Sequence, residues 1–327
     1  MKRILVLLLV LAMPAALAAC FKPEQQAENT EAPATDAPVT EAPETEAPAT
    51  EVPETEAPIA RPQMAYADYP HVDGSTANIP LAMGLIQLVT GCTEAEAEAS
   101  IDFNTTDYSY EALAEGLCDM LLVYEASAPT KEMYDPQNRF DMRPIGLDAL
   151  VFITNTDNPV ESLTQDQIRG IFSGEITNWK EVGGLDQEIK AFQRPTLSGS
   201  QTLMLNLCMG EVAMADQDII AVSDTMSDVI MDIAAYDNSA NAIGYSVYYY
   251  AKNMYNQPNL KFIKVEGVEP TYESINSGEY MYINPFYAIL PKTNVNANAA
   301  LLVDWLETPD GQAFVASCGY VPYLKQQ

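Results

Sequence analysis

The sequence predicts an α/β protein, and three observations carry that prediction. Short apolar runs of strand type occur at Cys118–Tyr124, Ala149–Ile153 and Phe286–Leu290. Segments of helical spacing lie among them, as at Ile79–Val89, where Leu81, Leu85 and Leu88 recur on one side. The chain has 327 residues and is 48% hydrophobic, enough for two cores of ordinary size. Strands and helices in alternation pack as layers, with helices laid against a sheet.

The elements follow in order. Lys2 and Arg3 precede an apolar run, Ile4–Met13, too short to span a membrane, and then Leu17-Ala18-Ala19-Cys20. This resembles a bacterial lipobox, which implies a signal peptide over 1–19 and a diacylglycerol on Cys20; the other reading is an ordinary signal peptide cut after Ala19. Residues 20–66 read as the anchored cysteine followed by a linker that repeats Thr-Glu-Ala-Pro, as at Thr40-Glu41-Ala42-Pro43 and Thr55-Glu56-Ala57-Pro58. Proline and acid with few large apolar residues cannot bury a core, so the segment acts as a stalk reaching about 120 Å if extended.

Globular texture begins near Ala67. Helices are expected at Ile79–Val89, Ser109–Leu117, Thr164–Phe172, Thr202–Met209 and Ser227–Tyr236. A further helical pair is expected at Ala297–Glu307 and Pro309–Ser317. The strands are Cys118–Tyr124, Ala149–Ile153, the start of Ile243–Tyr250, and Phe286–Leu290 ending at Pro291.

Composition narrows function. A net charge of −30 and a pI near 4.1 argue against nucleic acid and against an anionic lipid surface. They do not argue against a small anion in a closed pocket, because distant charges are screened within about 8 Å at physiological salt. His71 is the sole histidine, which leaves no zinc cluster and no Ser-His or Cys-His pair except through it. Beyond Cys20, the cysteines Cys92, Cys118, Cys208 and Cys318 show no CxxC spacing. They read as small buried hydrophobes, with disulfides left open. No metal, cofactor or catalytic role is expected.

Two segments present a helix start to an anion. In Asp73-Gly74-Ser75-Thr76-Ala77-Asn78, Gly74 permits close backbone approach, Ser75 and Thr76 supply hydroxyls, and the helix that follows supplies free N–H groups. In Arg194-Pro195-Thr196-Leu197-Ser198-Gly199-Ser200, a second Ser-Gly-Ser turn opens a helix four residues after an arginine whose fork suits an oxyanion. Each segment alone is equally an ordinary helix cap or surface charge. Trp179 and the run Tyr248-Tyr249-Tyr250 read as packing residues.

These segments belong to a longer pattern. Asp73-Gly74-Ser75-Thr76, Asp148-Ala149-Leu150-Val151-Phe152, Leu163-Thr164, Ile171-Phe172-Ser173-Gly174, Asn178-Trp179, Gly183-Gly184, Arg194, Ser198-Gly199-Ser200-Gln201 and Ile243-Gly244-Tyr245 occur in that order. From about Ala67 onward the chain resembles the phosphate-binding proteins of Pst-type ABC transporters. The resemblance implies a type II periplasmic-binding-protein fold, with two α/β lobes, a ligand cleft and two crossover segments. Lobe 1 would take 67–153 plus 284–327, and lobe 2 would take 154–283. It implies ligand contacts from Ser75 and Thr76, from Thr105 or Thr106, from Arg194, and from Ser198, Gly199 and Ser200. The family also places an aspartate after the strand that here ends at Val123, to accept the proton of hydrogen phosphate. Tyr124 falls there, so Glu125 or Asp73 would serve, or Glu125 only faces solvent.

The implied function is a monomeric, non-enzymatic receptor, lipid-anchored on the outer face of the cytoplasmic membrane. It would capture inorganic phosphate and deliver it to ABC permease subunits. The alternatives are a receptor for sulfate or a molybdate-like anion, and a sensor or surface-interaction protein on the same fold.

Overall fold

A computed structural model describes residues 59–216 and 240–323. The signal segment, Cys20, most of the stalk and the helix expected at Ser227–Tyr236 lie outside them.

One long strand organises the molecule. Strand β1 (Val72–Gly74) lies parallel to β2 (Met120–Val123). The chain then enters β3 (Phe140–Asn155), a 16-residue strand that serves two groups of strands in turn. From Phe140 to Ala149 it pairs antiparallel with β8 (Ile283–Pro291), which also pairs with β2, and β9 (Val321–Pro322) joins at Gly146 and Leu147. From Leu150 onward β3 runs between β6 (Ala242–Val247) and β7 (Leu260–Val265). The short strands β4 (Ser162–Leu163) and β5 (Lys190–Ala191) extend that second group, parallel to β7 and β6 respectively.

Strands β2 and β6 are buried along their whole length, and so is β3 from Ala149 onward, which is why they appear in the sequence as unbroken apolar runs. Helix α1 (Ile79–Thr90) buries Leu81, Leu85, Ile86 and Val89, and ends at Gly91 in the left-handed conformation that glycine tolerates. Two further helices depart from the sequence expectation: the first has no counterpart in it, and the second begins and ends earlier than the expected Ser109–Leu117. These are α2 (Glu94–Ser100), closed by a Thr93–Glu96 capping box, and α3 (Thr106–Glu115). Helix α4 (Ala128–Tyr134) follows β2, capped by Ser127. Helix α5 (Gln165–Ser173) carries a Thr164–Gln167 capping box. The helix expected from Thr202 starts earlier, as α6 (Gly199–Leu203), and its continuation Met204–Met209 widens to a π-helical stretch. The C-terminal pair spans Ala297–Leu306 and Pro309–Ser317.

Packing assigns the conspicuous residues. Trp179 is buried and its indole N–H donates to the Asn241 carbonyl at 2.9 Å. Tyr249 stacks face to face on Tyr320 with centroids 3.6 Å apart. The four described cysteines are free thiols; Cys118 and Cys208 are buried, whereas Cys92 and Cys318 are only partly so. No described helix is long and apolar enough to cross a membrane.

At the point where β3 changes partners lies Asp148, 1% exposed. Its Oδ2 accepts the Tyr124 hydroxyl at 2.6 Å, and its Oδ1 accepts the N–H groups of Ala149 at 2.8 Å and Tyr249 at 3.0 Å. Burial pushes its pKa up to about 6, and these hydrogen bonds hold it from rising further.

Candidate binding site

A cavity of about 410 Å³ is lined by Ser75, Thr76, Asn104, Thr105, Thr106, Tyr108, Arg194, Pro195, Thr196, Leu197, Ser198 and Gly199. Its first wall stands on β1 and α3, its second on the loop after β5 and on α6. Seven of the nine expected ligand contacts therefore meet in one space: Ser75, Thr76, Thr105, Thr106, Arg194, Ser198 and Gly199.

The first wall begins at a tight approach. A Cβ at Gly74 would overlap the Leu122 carbonyl oxygen of the adjacent strand. Gly74 is thus needed by its neighbour β2, which is a different reason from the ligand approach read in the sequence. The chain then leaves β1, and the Ser75 N–H donates to the Leu122 carbonyl at 3.0 Å. A single 3₁₀ turn, Thr76–Asn78, precedes α1. Ser75 Oγ lies 2.8 Å from Thr106 Oγ1 and accepts the Tyr124 N–H at 3.2 Å. Thr105, the residue before α3, has φ +86°. That is a strained conformation for a β-branched residue and is typical of segments held in place at functional sites.

The second wall carries the cation. Arg194 is 7% exposed, and its Nε donates to Ser198 Oγ at 3.3 Å. Ser200 does not line the cavity; it is fully buried and its Oγ lies 2.9 Å from Ser198 Oγ, so it supports that hydroxyl from behind. The backbone of Arg194 is held by two buried side chains. Its N–H donates to Tyr245 Oη at 3.0 Å and to Gln201 Oε1 at 3.2 Å, and the Tyr245 hydroxyl itself donates to Gln201 Oε1. The two walls touch, since a Cβ on Gly199 would collide with Thr106 Oγ1.

The structure does not bring Glu125 to the cavity. Its Oε1 pairs with Lys131 Nζ at 2.6 Å, and both side chains are well exposed. Tyr124 likewise points away, into the core, where its ring meets Phe286 edge to face. Just past the end of β2, Tyr124 turns inward to Asp148 and its neighbour Glu125 turns outward to Lys131. Asp73 is 2% exposed and saturated by local donors, Gly74 N–H at 2.7 Å and Asn104 N–H at 2.8 Å on Oδ1, and Asn104 Nδ2 at 2.7 Å on Oδ2.

Several lining or supporting residues had no role in the sequence reading: Asn104, Tyr108, Leu197, Gln201 and Tyr245. Gln201 and Tyr245 stand in the quoted pattern, but only folding shows that they clamp Arg194. Tyr108 and Leu197 are exposed apolar residues at the cavity, one on each wall, and nothing in their local sequence marks them. Chemically, the arrangement is a set of hydroxyls beside one guanidinium, which suits a small oxyanion. Among the described residues, no cluster of histidine, cysteine and carboxylate side chains could hold a metal ion.

Comparison with known proteins agrees. A family model described as a PBP superfamily domain matches residues 44–310. The chain is 29% identical over 180 residues to the phosphate-binding protein PstS of Borreliella burgdorferi, a match covering 53% of this chain and 63% of that protein. It is 26% identical over 262 residues to the protein of the same name from Bacillus subtilis, covering 77% and 79%. The match thus spans slightly less than two thirds of the first relative's length and more of the second's. Among solved structures, a phosphate ABC transporter substrate-binding protein with bound phosphate from Clostridium perfringens superposes with a TM-score of 0.61 at 25% identity, covering 77% of this chain and 99% of that one. An ABC-type phosphate transport receptor from Vibrio cholerae has the same fold, with a TM-score of 0.57 at 22% identity over 76% and 98%. The fold is the type II periplasmic-binding-protein fold, and the chain belongs to the PBP superfamily.

Proposed function

We propose that the protein is a non-enzymatic, extracytoplasmic receptor that captures inorganic phosphate for an ABC importer. One observation carries this reading: hydroxyls from the first wall and a buried arginine with a Ser-Gly turn from the second converge on a single cavity. The named relatives support phosphate as the cargo. On this reading residues 67–153 with 284–327 form one lobe and 154–283 the other, and the ligand draws Thr106 and Gly199 together across the cleft. The receptor is a monomer that docks on permease subunits, and Cys20 carries the lipid that tethers it.

The test is a thermal-melt titration of anion-stripped protein with phosphate and with sulfate. A ligand at 100 times its dissociation constant adds about 2.7 kcal/mol, a readily visible shift. A shift with phosphate supports the reading; no shift with either anion removes it. A second reading, a receptor for sulfate or a molybdate-like anion, is favoured by one observation: none of the described residues lining the cavity is a carboxylate. A larger shift with sulfate would select it. The tether is tested separately by fractionation. A Cys20→Ser variant that stays as firmly membrane-bound as wild type would exclude the lipid.

A further inference from the structure

Hydrogen phosphate and sulfate are both tetrahedral dianions, and they differ in one proton. A site that separates them needs a group that accepts a hydrogen bond and cannot donate one. Serine, threonine and tyrosine hydroxyls do not qualify, because each rotates to donate or accept as the ligand demands. Arg194 only donates. Of the cavity-lining side chains, this leaves Asn104.

A free asparagine amide is as ambiguous as a hydroxyl, since it can turn either end to a ligand. Asn104 has lost that freedom. Its Nδ2 donates to Asp73 Oδ2 at 2.7 Å, while its own N–H and that of Gly74 donate to Asp73 Oδ1 at 2.8 and 2.7 Å. Asp73 is 2% exposed, and three donors converge on its carboxylate. Turning the amide over would set Asn104 Oδ1 against Asp73 Oδ2, two acceptors face to face. The donor end is therefore committed to Asp73, and the carbonyl end is what Asn104 has left to offer the cavity it lines.

We propose that Asn104 Oδ1, locked in orientation by the buried carboxylate of Asp73, is the acceptor that reads the ligand proton and sets preference for hydrogen phosphate over sulfate. This rests on the oxyanion-receptor reading above and adds the residue that decides between its two versions. Asp73 is a positioning residue and does not touch the ligand. The device also avoids placing a second negative charge beside a dianion, because the charge sits one residue behind the neutral group that meets the ligand.

The two residues give different signatures on substitution. Asn104→Ala removes the acceptor. Asp73→Asn is nearly isosteric; its own amide can donate to Asn104 Oδ1, which turns Asn104 over and presents Nδ2, a donor, to the cavity. Calorimetric titration of the whole chain, stripped of anion, with inorganic phosphate and with sulfate at a pH where phosphate is a dianion reads both. Wild type is expected to favour phosphate. In both variants the preference falls about tenfold or more, equivalent to about 1.4 kcal/mol. In Asp73→Asn part of that fall is sulfate binding more tightly than to wild type, a gain that structural damage does not produce. The proposal is overturned if Asn104→Ala keeps phosphate binding and a preference within about twofold of wild type. Equal binding of both anions by wild type overturns it too, while leaving an oxyanion receptor in place. Wild type that binds neither anion overturns the receptor reading and this one together. Asn104 is exposed, so its variant decides the matter even if Asp73→Asn fails to fold.

Discussion

Two polar places in this molecule are built on opposite principles. At the β3 crossover, Asp148 is enclosed and the protein itself supplies its partners, the Tyr124 hydroxyl and the N–H groups of Ala149 and Tyr249. In the cavity, hydroxyls and a guanidinium are gathered within reach of one another but face a common space. The first arrangement is closed and structural; the second is open and can exchange its internal hydrogen bonds for a ligand's. Tyr124 joins them, holding Ser75 Oγ through its backbone N–H and Asp148 through its ring hydroxyl. Burial of a polar group is therefore no mark of function by itself. What marks the cavity is that its hydroxyls and guanidinium, bonded to one another as Ser75 to Thr106 and Arg194 to Ser198, also border a space that a ligand can enter.

Experiments can separate the two places. Arg194→Ala should have the largest effect, because it removes the one charged donor among the described residues that line the cavity. A loss of about 3 kcal/mol, or roughly a hundredfold in phosphate affinity, is expected by calorimetry, with little change in the melting temperature of the anion-free protein. Gly199→Ala comes next. Its Cβ would meet Thr106 Oγ1, so the walls must part, and overpacking of this kind costs about 1–3 kcal/mol. On the proposed closure, in which a ligand holds the two walls together, the cost should appear chiefly in ligand affinity.

Tyr124→Phe breaks the crossover instead. It leaves a buried carboxylate oxygen without its donor, costing roughly 1–3 kcal/mol of stability while phosphate affinity stays near wild type. Its pH dependence has a definite sign. Asp148 is raised from 3.8 to about 6, so the folded state holds that proton more tightly than the unfolded chain. The associated stability is complete below the ordinary carboxylate pKa and is lost as the pH rises through about 6. The tyrosine bond opposes the rise, so Tyr124→Phe should extend that loss to higher pH in denaturant titrations. Glu125→Gln should do least. It breaks an exposed ion pair with Lys131, and both stability and phosphate affinity should stay within about 0.5 kcal/mol of wild type. A large loss of affinity there would return Glu125 to the binding site and undo the comparison.

Local pattern made much of this legible. Helix α1 and the C-terminal helical pair lie within a few residues of where apolar spacing placed them, and β2 and β8 coincide with their apolar runs. Strand β3 was seen only in part, at Ala149–Ile153. Its first half, Phe140–Leu147, mixes charged and apolar residues because that stretch is only partly buried, which removes the unbroken apolar signal. Strand β1 was hidden for another reason: three residues are too few to show a period, and Asp73-Gly74 reads locally as a turn.

The site divides in the same way. The sequence by itself marked the Ser75-Thr76 and Arg194–Ser200 segments as candidates for binding an anion, because hydroxyls and an arginine beside a glycine turn suggest that chemistry by residue type alone. It could not determine which neighbours would orient them. Asp73 and Asn104 are 31 positions apart, and Arg194 and Tyr245 are 51 apart. Their contacts arise only when β1, β5 and β6 take their places in the sheet. Glu125 shows the limit most plainly. Residue type and proximity in sequence made it a candidate, but past the end of β2 it is Tyr124 that turns to the core, where its hydroxyl meets Asp148, 24 residues downstream, while Glu125 turns out to Lys131.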